Sequence, residues 1–310
     1  GITIDREAIK VSIINDSILG PHQEIITVRA VDNKILKVSQ DGGIVSALLS
    51  YALETGVIDG TIVAAPGEDP WKPEPLVATT TKEILKGAGT KYTMCPNIAL
   101  IKEATREYGL EKIGTVGTPC QVMGIRKSQT YPMGFRNTAE KIALVVGIYC
   151  MENFPYESLK TFVEDSIGVS LENVEKLDIT KGKFIVKHHE GEDSIPLKNT
   201  HGYEQTGCNY CMDYVAELSD FSCGSVGAKE GWSTVIKRTD KGASLIDQAL
   251  EDGVLEQTET NEGKFGLGML RKLATNKKTK NQKNIDQKLE FGIPVPFAHS
   301  KDKDDVFENR

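Results

Sequence analysis

Two apolar runs, each followed almost at once by a cysteine, constrain the fold of this chain most strongly. Ile113–Gly117 ends at Thr118, Pro119 and Cys120, and residues 141–149 lead directly into Cys150. Both runs are typical of buried strands, and a helical pattern follows each of them. Strand followed by helix is the unit of an open α/β sheet, in which ligands collect beyond the carboxyl ends of the strands. The sequence therefore predicts that Cys120 and Cys150 occupy equivalent positions on one ligand-binding edge.

A Cys-x-x-Cys pair, Cys208 and Cys211, supplies two further thiols at a spacing that suits a shared metal better than a mutual disulfide. Six cysteines in a chain whose printed start shows no export signal indicate reduced thiols, so a cytoplasmic protein is expected. The four thiols fit a 4Fe-4S cluster and also structural zinc. We favour the cluster, because zinc usually takes two tight pairs. Cys95 and Cys223 are reserve ligands or ordinary buried thiols.

Nucleophilic catalysis by Cys120 or Cys150 is a rival interpretation. It needs a general base, and of the five histidines only His201 lies near the Cys-x-x-Cys pair in sequence. His201 fits equally well as a donor to a bound cofactor or as a structural histidine.

Three loops of small residues, at 41–43, 89–92 and 224–227, fit an extended phosphorylated cofactor. The first precedes an apolar periodic run at 44–53, so its glycines leave the N–H groups of a helix start accessible to an anion. A plain turn is the alternative for each loop taken alone. Since no Gly-x-Gly-x-x-Gly follows the first strand, a cofactor here would bind in a non-Rossmann manner.

The fold class predicted from these patterns is α/β, with a mixed sheet core, helices, and α+β elements in the second half. A net charge of −7 argues against a nucleic-acid binder, and no run of about 18 apolar residues predicts a membrane span. We interpret the lysine-rich stretch 271–288 as a solvated helical face. The predicted organisation is an N-terminal extension (1–21), a catalytic domain (22–298) with an α+β region (168–206) and a C-terminal helical segment (262–290), and a flexible tail (299–310).

Six blocks together resemble one known family, the beta subunits of coenzyme F420-reducing hydrogenases and related dehydrogenases. The blocks are Gln40 to Gly43, Gly89 to Tyr92, Thr118 to Gln121, Tyr149 to Phe154, His201 to Gln205, and Gly207-Cys208 with Cys211. The resemblance runs from about residue 24 to residue 297. Related subunits serve formate dehydrogenases, F420 dehydrogenases and F420-dependent sulfite reductases, several of them with an added Cys-x-x-Cys-x-x-Cys segment. This chain lacks that segment, which favours the hydrogenase type.

The resemblance implies an oxidoreductase subunit with FAD and one 4Fe-4S cluster, which exchanges electrons between coenzyme F420 as substrate and the large and small subunits of a hydrogenase or an equivalent cluster-bearing partner. The expected metal ligands are Cys120, Cys150, Cys208 and Cys211. The expected flavin contacts are Asp41, Gly42, Gly43, Thr90, Lys91, Asn153, Gly224, Ser225, Gly227 and Trp232. The expected contacts to the anionic tail of F420 are Arg126, Lys127 and His201. Lys91 also fits a solvated lysine, and a zinc-stabilised, non-catalytic interaction subunit is the alternative for the whole chain.

Overall fold

The computed structural model describes residues 13–130 and 136–295, which build two β-sheets and the helices packed on them. The strands are β1 (Glu24–Ala30), β2 (Gly60–Pro66), β3 (Pro73–Ala78), β4 (Ile113–Gly117), β5 (Ile142–Ile148), β6 (Val174–Thr180), β7 (Lys183–His188), β8 (Gly191–Pro196), β9 (Phe221–Gly224), β10 (Ser233–Lys237) and β11 (Leu255–Thr258). The α-helices are α1 (Asn33–Val38), α2 (Ile44–Glu54), α3 (Thr81–Lys86), α4 (Ile101–Arg106), α5 (Pro119–Thr130), α6 (Arg136–Ala139), α7 (Tyr156–Thr161), α8 (Asp240–Glu251) and α9 (Leu267–Glu290). Short 3-10 turns lie at Asn97–Leu100, Leu171–Asn173, Leu197–Thr200 and Thr206–Tyr210, and a π-helical turn at Phe162–Ile167.

The large sheet is mixed, with the strand order β11-β1-β10-β9-β5-β4-β2-β3. Strands β2, β4, β5 and β9 pair in parallel along its centre. Because β10 is antiparallel to both β9 and β1, β1 runs in the same direction as these four strands. Five strands therefore end at one edge of the sheet, which we call the carboxyl edge. This arrangement confirms the predicted α/β class with a mixed sheet core.

Helices cover both faces of the large sheet. In β5, Leu144 and Val146 point to the face covered by α2 and α8, whereas Val145 points to the opposite face, covered by α4 and α5. This alternation is the period of two that a strand imposes on its side chains. Because both faces are buried, the strand reads in the sequence as a continuous apolar run. No helix among the described residues is long and apolar enough to span a bilayer.

The small sheet, β6-β7-β8, is an antiparallel meander within the predicted α+β region. Its core is aromatic, with Phe162 and Phe184 in an edge-to-face contact at 5.2 Å between ring centroids. The loops at the carboxyl edge of the large sheet hold it in place. The indole N–H of Trp71 donates to the carbonyl of Val174 at 3.2 Å, and Tyr92 packs edge-on against Phe184.

Two helices begin with a side-chain cap. The side chain of Asp32 accepts from the backbone N–H of Lys34, and that of Thr239 accepts from Gly242. One prediction was wrong, since Gly224, expected to open the loop 224–227, is the last residue of the central strand β9. The lysine-rich stretch 271–288 is helical, as predicted, and lies in α9, one side of which is buried.

The predicted domain boundaries remain predictions. The first 12 residues of the predicted extension and the whole tail 299–310 lie outside the described residues. The remainder of the extension belongs to the fold, since Leu19 is fully buried and its carbonyl accepts from the guanidinium of Arg238 at 3.0 Å.

Asp220, the residue before β9, connects its own segment of the chain to three others through its carboxylate. Its carboxylate accepts from the backbone N–H of Val145 at 2.7 Å, the hydroxyl of Thr239 at 3.0 Å and the guanidinium of Arg126 at 3.0 Å. The side chain of Asp220 is only 5% exposed and that of Arg126 18%. Removing one member of such a pair leaves the other charge buried without a partner.

Asp220→Ala should therefore lower the apparent free energy of unfolding by about 3 kcal/mol, since Arg126 and the Val145 N–H both lose their acceptor. Urea titration followed by far-UV circular dichroism measures the change. Asp69→Ala is the matched control, because the Asp69–Lys72 ion pair is exposed to solvent and should contribute much less to the free energy of unfolding. Equal losses in the two variants would contradict this role of Asp220.

Candidate functional site

The carboxyl edge of the large sheet brings Cys120 and Cys150 together. Cys120 lies in the first turn of α5, directly after β4, and Cys150 follows β5, the parallel neighbour of β4. The sulfur of Cys120 lies 3.2 Å from the hydroxyl of Thr118, and the backbone N–H of Cys150 donates to the carbonyl of Tyr214 at 2.9 Å. The predicted equivalence of the two positions is confirmed.

The Cys-x-x-Cys pair lies at the same edge, although it belongs to a later segment of the chain. Cys208 lies in the 3-10 turn Thr206–Tyr210, and the backbone N–H of Cys211 donates to the carbonyl of Cys208 at 3.3 Å. The carbonyl of Asn153 accepts from the backbone N–H of Gln205 at 2.8 Å and from the thiol of Cys208 at 3.9 Å. These bonds tie the pair to the segment that follows Cys150.

The four thiols form one electrostatic group, which we call the four-cysteine centre. Burial raises the pKa of Cys150 to about 12, a shift to which the other three sulfurs contribute and which Lys277 opposes. Burial also raises the pKa values of Cys208 and Cys211, and Cys120 adds to both shifts. Each of these thiols is therefore protonated at neutral pH unless a cation compensates the thiolate. A bound metal would supply that compensation and release the protons.

The described residues form no site for a single metal ion. A tetrahedral zinc ion holds each sulfur at about 2.3 Å. Among residues 13–130 and 136–295, no group of three or more His, Cys, Asp or Glu side chains is placed to hold one ion. Metal ligation by the four cysteines therefore stays a prediction.

Helix α9 covers the centre with two buried polar side chains. The ammonium of Lys277 donates to the carbonyl of Cys150 at 2.6 Å, and the amide of Asn281 donates to the carbonyls of Cys208 and Cys211 at 2.8 and 2.7 Å. Lys277 is 4% exposed and Asn281 3%. The sequence analysis missed both residues. Their signal was the helical spacing that they share with the buried Leu270, Ala274 and Ile285.

The predicted loop 41–43 lies where the chain enters α2, beside the ends of β1 and β10. Gly43 has φ +69° and caps α2 without a side-chain hydrogen bond, which leaves the first N–H groups of the helix without a capping side chain. A Cβ on Gly42 would lie 2.9 Å from the carbonyl oxygen of Val28, so only glycine fits against the sheet. A helix start with this geometry suits an anionic group.

Asp41 lies at the junction between the two sheets. Burial raises the pKa of its carboxyl to about 6, and the carboxylates of Asp178 on β6 and Glu230 reinforce the shift. The thiol of Cys223 faces the same junction, and its pKa is raised to about 12 by burial and then by Asp41. Cys223 thus belongs to this junction and not to the four-cysteine centre.

Two buried polar atoms near these residues lack a hydrogen-bond partner within the described part of the chain, the side-chain oxygens of Asn153 and Thr234. A Cβ on Gly227 would lie 2.8 Å from the Thr234 hydroxyl oxygen, and one on Gly224 only 2.3 Å from the ring of Tyr149. Buried polar groups without partners are uncommon, and one explanation is a ligand that supplies the bond. Nearby, Ser225 is exposed.

Trp232 and Lys91 have contacts of their own. The cations of Arg29 and Lys229 lie 4.7 and 4.6 Å from the Trp232 ring. The ammonium of Lys91 donates to the carbonyls of Gly87, Ala88 and Gly89 at 2.5 to 3.2 Å, which occupies its three donors. Burial lowers the pKa of Lys91 to about 8, so it is not the solvated lysine of the alternative interpretation. Thr90, the residue before Lys91, is exposed. Cys95 is an electrostatic neighbour of Lys91, and burial raises the pKa of its thiol to about 12.

The three predicted contacts to the tail of F420 are not brought together. Arg126 donates to Asp220, Gln129 and the carbonyl of Leu218, so its guanidinium is used within the fold. Lys127 is exposed on α5. His201 lines a different feature, an open cavity of about 630 Å³ beside the Cys-x-x-Cys turn that Glu204, Lys280 and Lys288 also line.

Comparison with known proteins identifies the family. The model of the coenzyme F420 hydrogenase/dehydrogenase beta subunit N-terminus matches residues 25–102, and that of the C-terminus matches residues 110–263. A coenzyme F420 hydrogenase subunit beta of Methanothermobacter thermautotrophicus is 56% identical over 280 residues, which cover 90% of this chain and 100% of the relative. Its counterpart in Methanosarcina barkeri is 50% identical over 281 residues, covering 90% and 97%.

A solved structure agrees with the sequence relatives. One chain of the F420-reducing NiFe hydrogenase complex from Methanosarcina barkeri superposes with a TM-score of 0.89 at 48% identity, covering 92% of this chain and 100% of that one. The chain therefore belongs to the coenzyme F420 hydrogenase/dehydrogenase beta subunit family.

Proposed function

We propose that this chain is the F420-exchanging subunit of a hydrogenase complex, with FAD and one 4Fe-4S cluster as cofactors and the hydrogenase large and small subunits as partners. The observation that carries the proposal is the meeting of four thiols from three chain segments at the carboxyl edge. The relatives support the hydrogenase type, since the two described above carry that name and match nearly the whole chain.

Cys120, Cys150, Cys208 and Cys211 would hold the cluster. The donor set fits it, because four thiolates are the usual ligands of a 4Fe-4S cluster. A cluster and a flavin together supply the conversion between hydride transfer and single-electron transfer. The contacts of Asn153, Tyr214 and Asn281 orient the segments that carry Cys150, Cys208 and Cys211.

FAD would lie at the junction of the two sheets, in a non-Rossmann arrangement. The start of α2 offers N–H groups to a phosphate. Asn153, whose side-chain oxygen has no partner among the described residues, accepts from the thiol of Cys208 through its carbonyl and remains a candidate contact. Gly42, Gly43, Gly224 and Gly227 allow close approach of backbone, and Asp41, Thr90, Ser225 and Trp232 remain candidate contacts. Lys91 would act through the loop that it fixes, because its donors are already used.

For the anionic tail of F420, the cavity lined by His201 fits better than Arg126. Lys280 and Lys288 add two ammonium groups to that cavity, whereas Arg126 already pairs with Asp220. Lys127 remains an exposed candidate.

Cys208→Ser should reduce the iron content of anaerobically purified protein from about four atoms per chain to less than one, because the cluster loses one of its four proposed thiolate ligands. Iron analysis and the visible absorption of the cluster measure the loss. Cys95→Ser is the matched control and should leave the iron content unchanged, since the electrostatic neighbours of Cys95 are Lys91 and Glu74. Full iron content in Cys208→Ser would remove it from the ligand set.

The wild-type protein, purified without oxygen and supplied with FAD, should reduce a one-electron dye with reduced F420 as the donor. Omission of FAD should lower the rate at least tenfold, because hydride and single-electron transfer are then uncoupled. A visible spectrum with metal analysis decides between this function and the zinc-stabilised interaction subunit, which would be colourless. Protein that is loaded with iron and FAD and shows no F420-dependent dye reduction would refute the proposal.

Asp41→Asn should stabilise the cofactor-free chain at pH 8, and the gain should disappear as the pH falls to about 4. The folded-state pKa of Asp41 is raised from 3.8 to about 6, so ionisation costs the native state more than the unfolded one. Stability is thus lost as the pH rises from about 4 to 6 in the wild type but not in the variant. Urea midpoints at several pH values test this, with Asp286→Asn as the exposed control. A difference independent of pH would exclude the burial of a charged Asp41.

A further inference from the structure

The four-cysteine centre has a buried cation beside it, on a helix that lies beyond the residues matched by the family models. Lys277 is 4% exposed, and its ammonium donates to the carbonyl of Cys150 at 2.6 Å. It also interacts electrostatically with the sulfurs of Cys150, Cys208 and Cys211. One turn further along α9, Asn281 binds the carbonyls of the Cys-x-x-Cys pair, so the helix is fixed against the centre at two points.

Lys277 differs from the other buried cations in what balances its charge. Lys237 pairs with Glu24 at 2.7 Å and with Asp247 at 2.6 Å, and Arg126 pairs with Asp220. Among the described residues, no carboxylate lies within ion-pair distance of Lys277. Lysines are almost never fully buried without a partner, because a desolvated charge is costly. The anionic groups with which this ammonium interacts electrostatically are the sulfurs of the centre and the carboxylate of Glu152, which forms no ion pair with it.

We propose that Lys277 is the built-in countercharge of the four-cysteine centre and raises the reduction potential of the cluster bound there. The proposal rests on the cluster assignment under the proposed function. It makes Lys277 a positioning residue that acts on the cluster through its charge, since its hydrogen bond goes to the backbone of a ligand and not to the reacting atoms.

The direction of the effect follows from the charge balance. Four thiolates outweigh the positive charge of the cluster core, so the assembly is an anion in both oxidation states, and reduction adds one more negative charge. A nearby buried cation stabilises the more negative state by the larger amount, because its attraction is little screened in the interior. Lys277 also turns the carbonyl dipole of Cys150 toward itself, which reduces the negative potential at the centre. Both effects favour the reduced cluster.

Lys277→Gln in the full complex tests the proposal, with the cluster potential as the readout. At a fixed solution potential, the ratio of reduced to oxidised cluster should fall at least tenfold, which for a one-electron couple is a downward shift of about 59 mV. Redox titration followed by electron paramagnetic resonance measures this ratio independently of turnover. Lys277→Arg, which keeps the charge, should shift the ratio by less than threefold. Lys283→Gln removes a charge from an exposed position of the same helix and should also leave it within threefold.

The outcomes separate the role of Lys277 from the identity of the centre. Full iron content in Lys277→Gln with an unchanged potential overturns the proposal. If Lys277→Gln retains too little cluster to titrate, Lys277→Arg decides: restored cluster content supports a required cation, and equal loss in both variants shows a packing role and overturns the assignment. A wild-type protein without iron would instead refute the proposed function, which the same iron analysis detects before any titration.

Discussion

The parallel pairing of β4 with β5, and of β5 with β9, is the constraint on which the rest of this molecule depends. Parallel neighbours end at the same edge, so whatever follows each strand is delivered to one place without any further contact being needed. Cys120 follows β4 and Cys150 follows β5, while β9 ends beside them with Cys223 and Gly224. The small sheet and α9 add groups to an edge that the strand order has already assembled.

Burial at this edge determines both the protonation of the thiols and the strength of the charge interactions around them. Removing the thiols from water raises the pKa values of Cys150, Cys208 and Cys211, so without a cation they stay neutral. The same low dielectric strengthens the influence of one ammonium group, Lys277, on anything negative that the thiols bind. A surface lysine could not act in this way, because solvent and salt would screen it. The centre therefore needs α9 packed on it, although α9 supplies none of the four sulfurs.

The sequence predicted the positions of Cys120 and Cys150 because the strands before them are unbroken apolar runs, the strongest local signal that a buried parallel strand gives. It did not predict the strand β9, because Phe-Ser-Cys-Gly is short and polar in appearance, and only pairing with β5 and β10 makes it a strand. Lys277 and Asn281 were missed for a related reason. Lysine and asparagine read as solvent-facing, and their burial depends on carbonyl partners contributed by residues distant in sequence. Arg126 was predicted to contact F420, but its guanidinium pairs with Asp220, a residue distant in sequence that the local pattern around Arg126 does not reveal.

The residues Tyr149 and Cys150 connect the junction of the two sheets to the four-cysteine centre. Tyr149 immediately precedes Cys150, and its backbone N–H donates to the carbonyl of Cys223 at 3.0 Å, while Cys223 faces Asp41 across the junction. Burial raises the pKa of the Tyr149 phenol well above its usual value, and its ring packs against Tyr214, whose carbonyl binds the N–H of Cys150. Tyr149 and Tyr214 thus link the junction of the two sheets to the four-cysteine centre through one ring contact and two backbone hydrogen bonds.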